Sequence, residues 1–324
     1  MRGYNTPFKY FVIFILILLT NSTFAQKADF IQSLSKQNRW VDSVYDNLSK
    51  KERVAQLLFV RAHTNKGKAY EDSVEMVIKK QHIGGLVFFQ GGPGRQAALT
   101  NRYQKAAEVP LLIAMDGEWG VGMRLDSCLS YPYQMTLGAI QDNNLIYKMG
   151  QFIAADFKRL GMHMNFSPVM DINNNPNNPV INYRSFGDNK YNVAKKGVAY
   201  FKGMQDAGIL TSAKHFPGHG SSTADSHEGF VDISKTWDPV ELEPYKALFA
   251  QGYEDFVMVG HLFHSGYAGD GDLKLPASLS PEWITDVLRN ELAFKGVVIS
   301  DDLEMGAIRE HFGLKDTVVR AVRA

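Results

Sequence analysis

The run Lys214-His215-Phe216-Pro217-Gly218-His219-Gly220, followed by Asp225-Ser226-His227, gathers three histidines, a lysine and a carboxylate in a Gly-rich stretch after an apolar run. A carboxylate two residues from a histidine can orient the imidazole, fix its tautomer and stabilise its protonated form, as a general acid/base requires. In an extended segment residues i and i+2 share a face, so Asp225 and His227 can meet; on a helix they would point apart. An isolated Asp-x-His is more often part of a solvated loop, so the pair gains weight only from its surroundings.

Further chemistry-bearing residues lie elsewhere in the chain. Asp301 and Asp302 end the run Gly296-Val-Val-Ile-Ser300. Strand alternation sends one carboxylate into a site and the other aside, where a carboxylate can be a nucleophile, a metal ligand or a helix N-cap. Asp116 and Arg124 flank a Gly-rich turn, and Arg184 sits in Asn182-Tyr-Arg-Ser-Phe-Gly187 after a long Asn/Pro loop. Carboxylates accept from sugar hydroxyls and a guanidinium donates in a fixed fork, although each arginine could equally serve a structural ion pair. His215 and His219 are spaced like metal ligands, and His261 and His264 could join them. Pro217 and Gly218 oppose the helix that an i, i+4 metal pair needs, and no H-E-x-x-H arrangement occurs, so no metal is expected.

The elements that must position these groups alternate along the chain. Candidate strands are Leu57 to Ala62, Gly85 to Phe89, Leu111 to Met115, Met164 to Val169, Ile209 to Ala213, Phe256 to Gly260 and Val297 to Ser300. Between them lie helical patterns such as Leu145 to Leu160 and Val193 to Ala207, which implies a parallel sheet covered by helices. Residues 27 to 50 read as a helical lead-in with an apolar stripe of Trp40, Val41, Val44, Tyr45 and Leu48. Polar groups follow the strands: Asp116 after Met115, Asp171 after Val169, Lys214 after Ala213, His261 after Gly260, Asp301 after Ser300. A (β/α)8 TIM-type barrel predicts that one-sided placement, whereas a doubly wound sheet would concentrate it at a switch point. Seven strands are counted before Ala324, so the barrel is expected to stop short of its last strand and helix. Gly91-Gly92-Pro93-Gly94 reads as a turn, lacking the Lys-Ser/Thr ending of a phosphate loop.

Arg2 and Lys9, an apolar run from Tyr10 to Leu19 and small residues up to Ala25 read as a cleavable secretory signal at 1–25, since the run is too short to span a bilayer. Its removal leaves about 300 residues, room for one large domain or two small ones. With 35 basic and 34 acidic residues in 324, charge gives no argument for nucleic acid or an anionic membrane surface. Cys128 is the only cysteine, so no intrachain disulfide or cysteine-held zinc is expected, and stability must come from an ordinary core.

Taken in order, these motifs resemble glycoside hydrolase family 3, in its branch of β-N-acetylhexosaminidases. The signatures are Asp116-Gly-Glu118 with Arg124, Asn165-Phe-Ser-Pro-Val-Met-Asp171, Arg184-Ser-Phe186, Lys214 to Gly220, Asp225-Ser-His227 and Ser300-Asp-Asp-Leu-Glu-Met305. The resemblance covers roughly residues 40 to 320, and the pairing of the Lys214 to Gly220 run with Asp-x-His is specific to that branch. It implies that 26–324 is the family's N-terminal barrel domain, incomplete at its C-terminus. It also implies Asp301 as nucleophile, His227 as general acid/base with Asp225 as its partner, and Asp116, Arg124, Arg184, Lys214 and His215 as the sugar-binding residues. The expected activity is retaining release of terminal β-linked N-acetylglucosamine with no metal or organic cofactor. The substrate would be an N-acetylglucosamine-containing glycan such as a peptidoglycan fragment, in the periplasm or outside the cell. A β-N-acetylglucosaminide phosphorylase or β-glucosidase on the same barrel, and a non-catalytic sugar-binding barrel, are the alternatives.

Overall fold

Short apolar strands alternate with helices throughout the described residues, 36–267 and 273–324 of a computed structural model, so the expected leader at 1–25 lies outside them. After helices α1 (Arg39–Asn47) and α2 (Lys50–Ala55) come β1 (Phe59–Ala62), α3 (Lys68–Gln81), β2 (Gly85–Phe88), α4 (Pro93–Ala106) and β3 (Leu112–Met115). Helices α5 (Gln134–Gly138) and α6 (Asn143–Arg159) precede β4 (Met164–Asn165), α7 (Lys190–Asp206) and β5 (Leu210–Phe216). Then follow β6 (Val231–Asp232), α8 (Glu243–Ala250), β7 (Phe256–Val259), β8 (Leu262–Phe263), a π-helix (Glu282–Glu291), β9 (Val297–Ser300), α9 (Gly306–Arg309) and α10 (Leu314–Arg323). Residues Gln37–Ala324 make one compact unit.

Local chemistry sets the helix starts. Ser49 and Glu52 form a reciprocal capping box on α2, with bonds of 3.3 and 2.8 Å. Asp142 caps α6 through the Asn144 N–H at 2.9 Å, and Asn189 caps α7 through Tyr191 and Asn192.

Among the described residues seven strands pair in parallel, in the order β1-β2-β3-β4-β5-β7-β9. The register pairs Ala62 with Phe88, Phe88 with Met115 and Met115 with Asn165, which levels the strand ends so that the loops after them open on one face. Strands β2 and β7 are buried throughout, as a parallel sheet covered on both faces requires. Six spacings of about 4.8 Å would hold β1 and β9 roughly 29 Å apart in a flat sheet. Arg61 on β1 nevertheless reaches Asp302, just past β9, at 3.1 Å. The sheet therefore curls round as a TIM-type (β/α) barrel does.

Several details differ from the sequence expectation. Strand β4 is two residues long; the Asn165 side-chain amide binds Gly117 N–H and C=O at 2.9 and 3.0 Å, and beyond it the pairing continues irregularly through Phe166, Ser167, Pro168 and Met170. Strand β5 runs on to Phe216 through an irregularity between Ala213 and Phe216, so Lys214 and His215 sit within the strand rather than after it. A separate two-stranded sheet of β6 and β8 was not expected, and no residue of α1 is buried, so Trp40, Val41 and Tyr45 of the apolar stripe are exposed while Val44 and Leu48 are half-buried. No helix among the described residues is long and apolar enough to cross a membrane.

Candidate active site

The loops after β3 and β4 and the end of β5 meet in a buried network of charge. Lys214 Nζ lies 2.8 Å from Asp116 Oδ1 and 2.8 Å from Glu118 Oε1. Arg124 donates to the second Asp116 oxygen at 2.8 Å and lies over the Phe89 ring. Arg184 grips Glu118 with both fork arms, at 3.0 and 2.7 Å. Asp116 and Glu118 share this face because they stand two apart just beyond β3. Burial alone would raise both carboxyls, but Lys214 and Arg124 hold Asp116, and Arg184 and Lys214 hold Glu118, below the usual carboxylate range. The same carboxylates more than offset the burial that would lower Lys214, and its pKa is raised.

His215 joins this network through Asp171. Its Nδ1 lies 2.7 Å from Asp171 Oδ2, and its backbone N–H also faces that carboxylate. With Nδ1–H given to Asp171, Nε2 is left to accept from Arg184 Nη2 at 3.2 Å. Asp171 takes the His219 N–H at 2.7 Å as well, so one carboxylate fastens both ends of the His215 to His219 segment. That segment presses on the β4 loop: a Cβ at Gly220 would lie 1.6 Å from the Ile172 carbonyl oxygen. All five residues expected to hold a sugar, Asp116, Arg124, Arg184, Lys214 and His215, are thus brought together.

The Asp225 and His227 pair forms, but through a turn rather than an extended segment. Glu228 and Gly229 N–H both return to the Asp225 carbonyl, while Asp225 Oδ1 accepts the His227 N–H at 2.9 Å and faces Nδ1 at 2.6 Å. The short polar side chain closes its own turn, which brings i and i+2 together as a strand would. Burial would raise Asp225, yet the His227 N–H and imidazole hold it below its ordinary value. With Nδ1 engaged, Nε2 is the free nitrogen, on a side chain 58% exposed.

Asp301 and Asp302 separate as strand alternation predicts. The Asp301 N–H continues the ladder to the Val259 carbonyl at 2.9 Å. Its carboxyl accepts the Asp302 N–H at 2.8 Å, whereas the Asp302 side chain turns outward to Arg61. Burial would raise Asp301, but His261, His215, that N–H and Lys214 keep it low and therefore ionised. His261 is buried, with Nδ1 2.7 Å from Ser278 Oγ and Nε2 2.9 Å from the Asp302 carbonyl. Burial lowers its pKa, although Asp301 and the Asp302 carbonyl favour its charged form.

Sequence reasoning assigned no role to Glu118, Asp171 or His261. A signal was available for each: all three are polar residues beyond an apolar strand, and Glu118 repeats Asp116 at strand spacing. Their partners lie 66, 44 and 41 residues away, Glu118 to Arg184, Asp171 to His215 and His261 to Asp302, pairings that no local pattern encodes.

Comparison with known proteins converges on one family. The chain is 33% identical over 295 residues to the beta-hexosaminidase LpqI of Mycobacterium tuberculosis, covering 86% of this chain and 71% of that protein. It is 32% identical over 272 residues to beta-hexosaminidase A of Pseudoalteromonas piscicida, covering 76% of this chain and 45% of that protein. A glycoside hydrolase family 3 beta-N-acetylglucosaminidase from Paenibacillus sp. str. FPU-7 superposes with a TM-score of 0.77 at 36% identity, covering 85% of this chain and 53% of that one. The chain thus spans about half the length of two of these relatives. Residues 49–324 match the glycosyl hydrolase family 3 N terminal domain, and a match across that much of the chain makes it a member of this family.

Proposed function

We propose that residues 26–324 form the barrel domain of a retaining glycosidase that releases terminal β-linked N-acetylglucosamine. The observation that carries this reading is the Asp225 and His227 turn, whose 2.6 Å contact leaves Nε2 free, in the same molecule as an ionised carboxylate, Asp301, at the end of the last strand. Retaining glycosidases need one nucleophile and one proton donor. Asp301 attacks the anomeric carbon as the bond to the departing oxygen breaks, and His227 Nε2–H gives that oxygen its proton. His227 then takes a proton from water, which displaces Asp301 and restores the original configuration. Asp225 holds the imidazole and stabilises its charged form. Asp116, Arg124, Arg184, Lys214 and His215 hold the sugar, with Glu118 and Asp171 fixing the cations and the imidazole.

The beta-hexosaminidase names of its relatives support N-acetylglucosamine as the released sugar. The leader-like residues 1–25 support export, where wall fragments and foreign glycans are both available as substrates. The test is turnover of matched aryl N-acetyl-β-glucosaminide and aryl β-glucoside by wild type, Asp301→Ala and His227→Ala, with and without phosphate. The expected result is preference for the N-acetylated substrate, no phosphate requirement and loss of turnover in Asp301→Ala. Full turnover by Asp301→Ala contradicts the mechanism, and preference for the plain glucoside contradicts the substrate.

A further inference from the structure

We propose that His219 and Gly306 are positioning residues that hold the acid/base turn and set the reach of His227 toward the departing oxygen. The assignment rests on the glycosidase reading above. The turn is gripped from two sides. On the first, His219 Nε2 lies 3.1 Å from the Ser226 hydroxyl, and Nδ1 lies 2.6 Å from the Ser222 hydroxyl. Ser222 gives its own proton to the His219 carbonyl at 2.9 Å. Its oxygen therefore accepts from Nδ1–H, and Nε2 keeps the lone pair that accepts from Ser226. Burial pushes the His219 pKa down to about 4, so the ring is neutral as that arrangement requires.

On the second side, the Gly306 N–H donates to the His227 carbonyl at 3.1 Å and the Ala307 N–H to the Ser226 carbonyl at 3.3 Å. A Cβ at Gly306 would lie 2.8 Å from the Glu228 carbonyl carbon and 2.9 Å from the His227 carbonyl oxygen. Neighbouring backbone cannot retreat as a flexible side chain could, so any residue larger than glycine displaces the turn. The segment that follows Asp301 and the segment that carries Lys214 and His215 thus hold the same turn. Neither grip uses the His227 imidazole, which stays free for the proton. The geometry of proton delivery is set by these grips, while the nucleophile is not.

Leaving groups of different acidity separate these roles. A dinitrophenyl group departs without a proton, whereas a methoxyphenyl group needs one, and kcat/KM reports the first bond-breaking step. Ser226→Ala removes the His219 contact without touching the buried ring, and Gly306→Ala acts on the other grip. Each is expected to lower kcat/KM for methoxyphenyl N-acetyl-β-glucosaminide by about 10- to 100-fold, a part of what a full general acid contributes. For the dinitrophenyl substrate each is expected to stay within about 2-fold of wild type, and Ser226→Thr, which keeps the hydroxyl, is expected to recover most of the loss. A parallel loss on both substrates, or no loss on either, overturns the assignment while leaving the glycosidase reading in place. A wild type inert on both overturns the glycosidase reading and this assignment with it.

Discussion

Glu118 is fully buried between Arg184 and Lys214, with three contacts of 3.0 Å or less. Removing one partner of a buried ionic set leaves uncompensated charge, which is strongly destabilising. Glu118→Ala is therefore expected to cost about 3–5 kcal/mol and to lower Tm by about 10 °C in calorimetry. A change of a degree or two would show that the two cations find other partners. At this scale the sequence was informative about which residues matter and less about how they meet. Asp225 and His227 do come together, but because Asp225 closes an Asx-type turn on the His227 N–H, a backbone choice that periodicity does not report.

The elements show the same division. Strand β9 occupies the very residues that its apolar run indicated, since Val297–Ser300 is β-branched and hydrophobic between a glycine and two aspartates. Strand β4 could not be read so well, because its regular ladder gives way after two residues to irregular pairing through Phe166, Ser167, Pro168 and Met170. Two-residue strands such as β6 and β8 are too short to carry a period at all. The segment after β5 depends on close approach to the β4 loop, where Gly220 leaves no room for a side chain beside Ile172. Gly220→Ala must force two backbones apart, and overpacking of this kind costs roughly 1–3 kcal/mol. Because the same segment carries Lys214 and His215, kcat/KM is expected to fall at least about 10-fold in steady-state assays. Unchanged kinetics would mean that the segment shifts without moving Lys214 and His215.

For the molecule as a whole, curvature matters more than the surface contact that reveals it. The Arg61 and Asp302 pair is substantially exposed on both sides, so it reports the closure of the sheet and contributes at most about 1 kcal/mol to it. Buried carboxylates control the response to pH. Asp116, Glu118, Asp171 and Asp301 have folded pKa values below their unfolded ones, so their contribution is present above about pH 4.5 and is lost as pH falls through the folded values. Glu241 has the opposite sign. Burial raises it to about 7, so its contribution is present below the unfolded value and is lost as pH rises through about 7. Glu241→Gln is expected to flatten the fall in Tm on the alkaline side while leaving the acid fall unchanged in a pH series of melting curves. An unaltered alkaline limb would assign that loss to other groups. The proposed mechanism passes through a covalent bond at Asp301. The most direct measurement is mass spectrometry of peptides after reaction with a fluorinated N-acetylglucosaminyl donor that forms its enzyme adduct quickly and releases it slowly. One sugar attached to the peptide containing Asp301, and absent from Asp301→Asn, is the predicted result; an adduct on another residue, or none from a protein that turns the donor over, would contradict it.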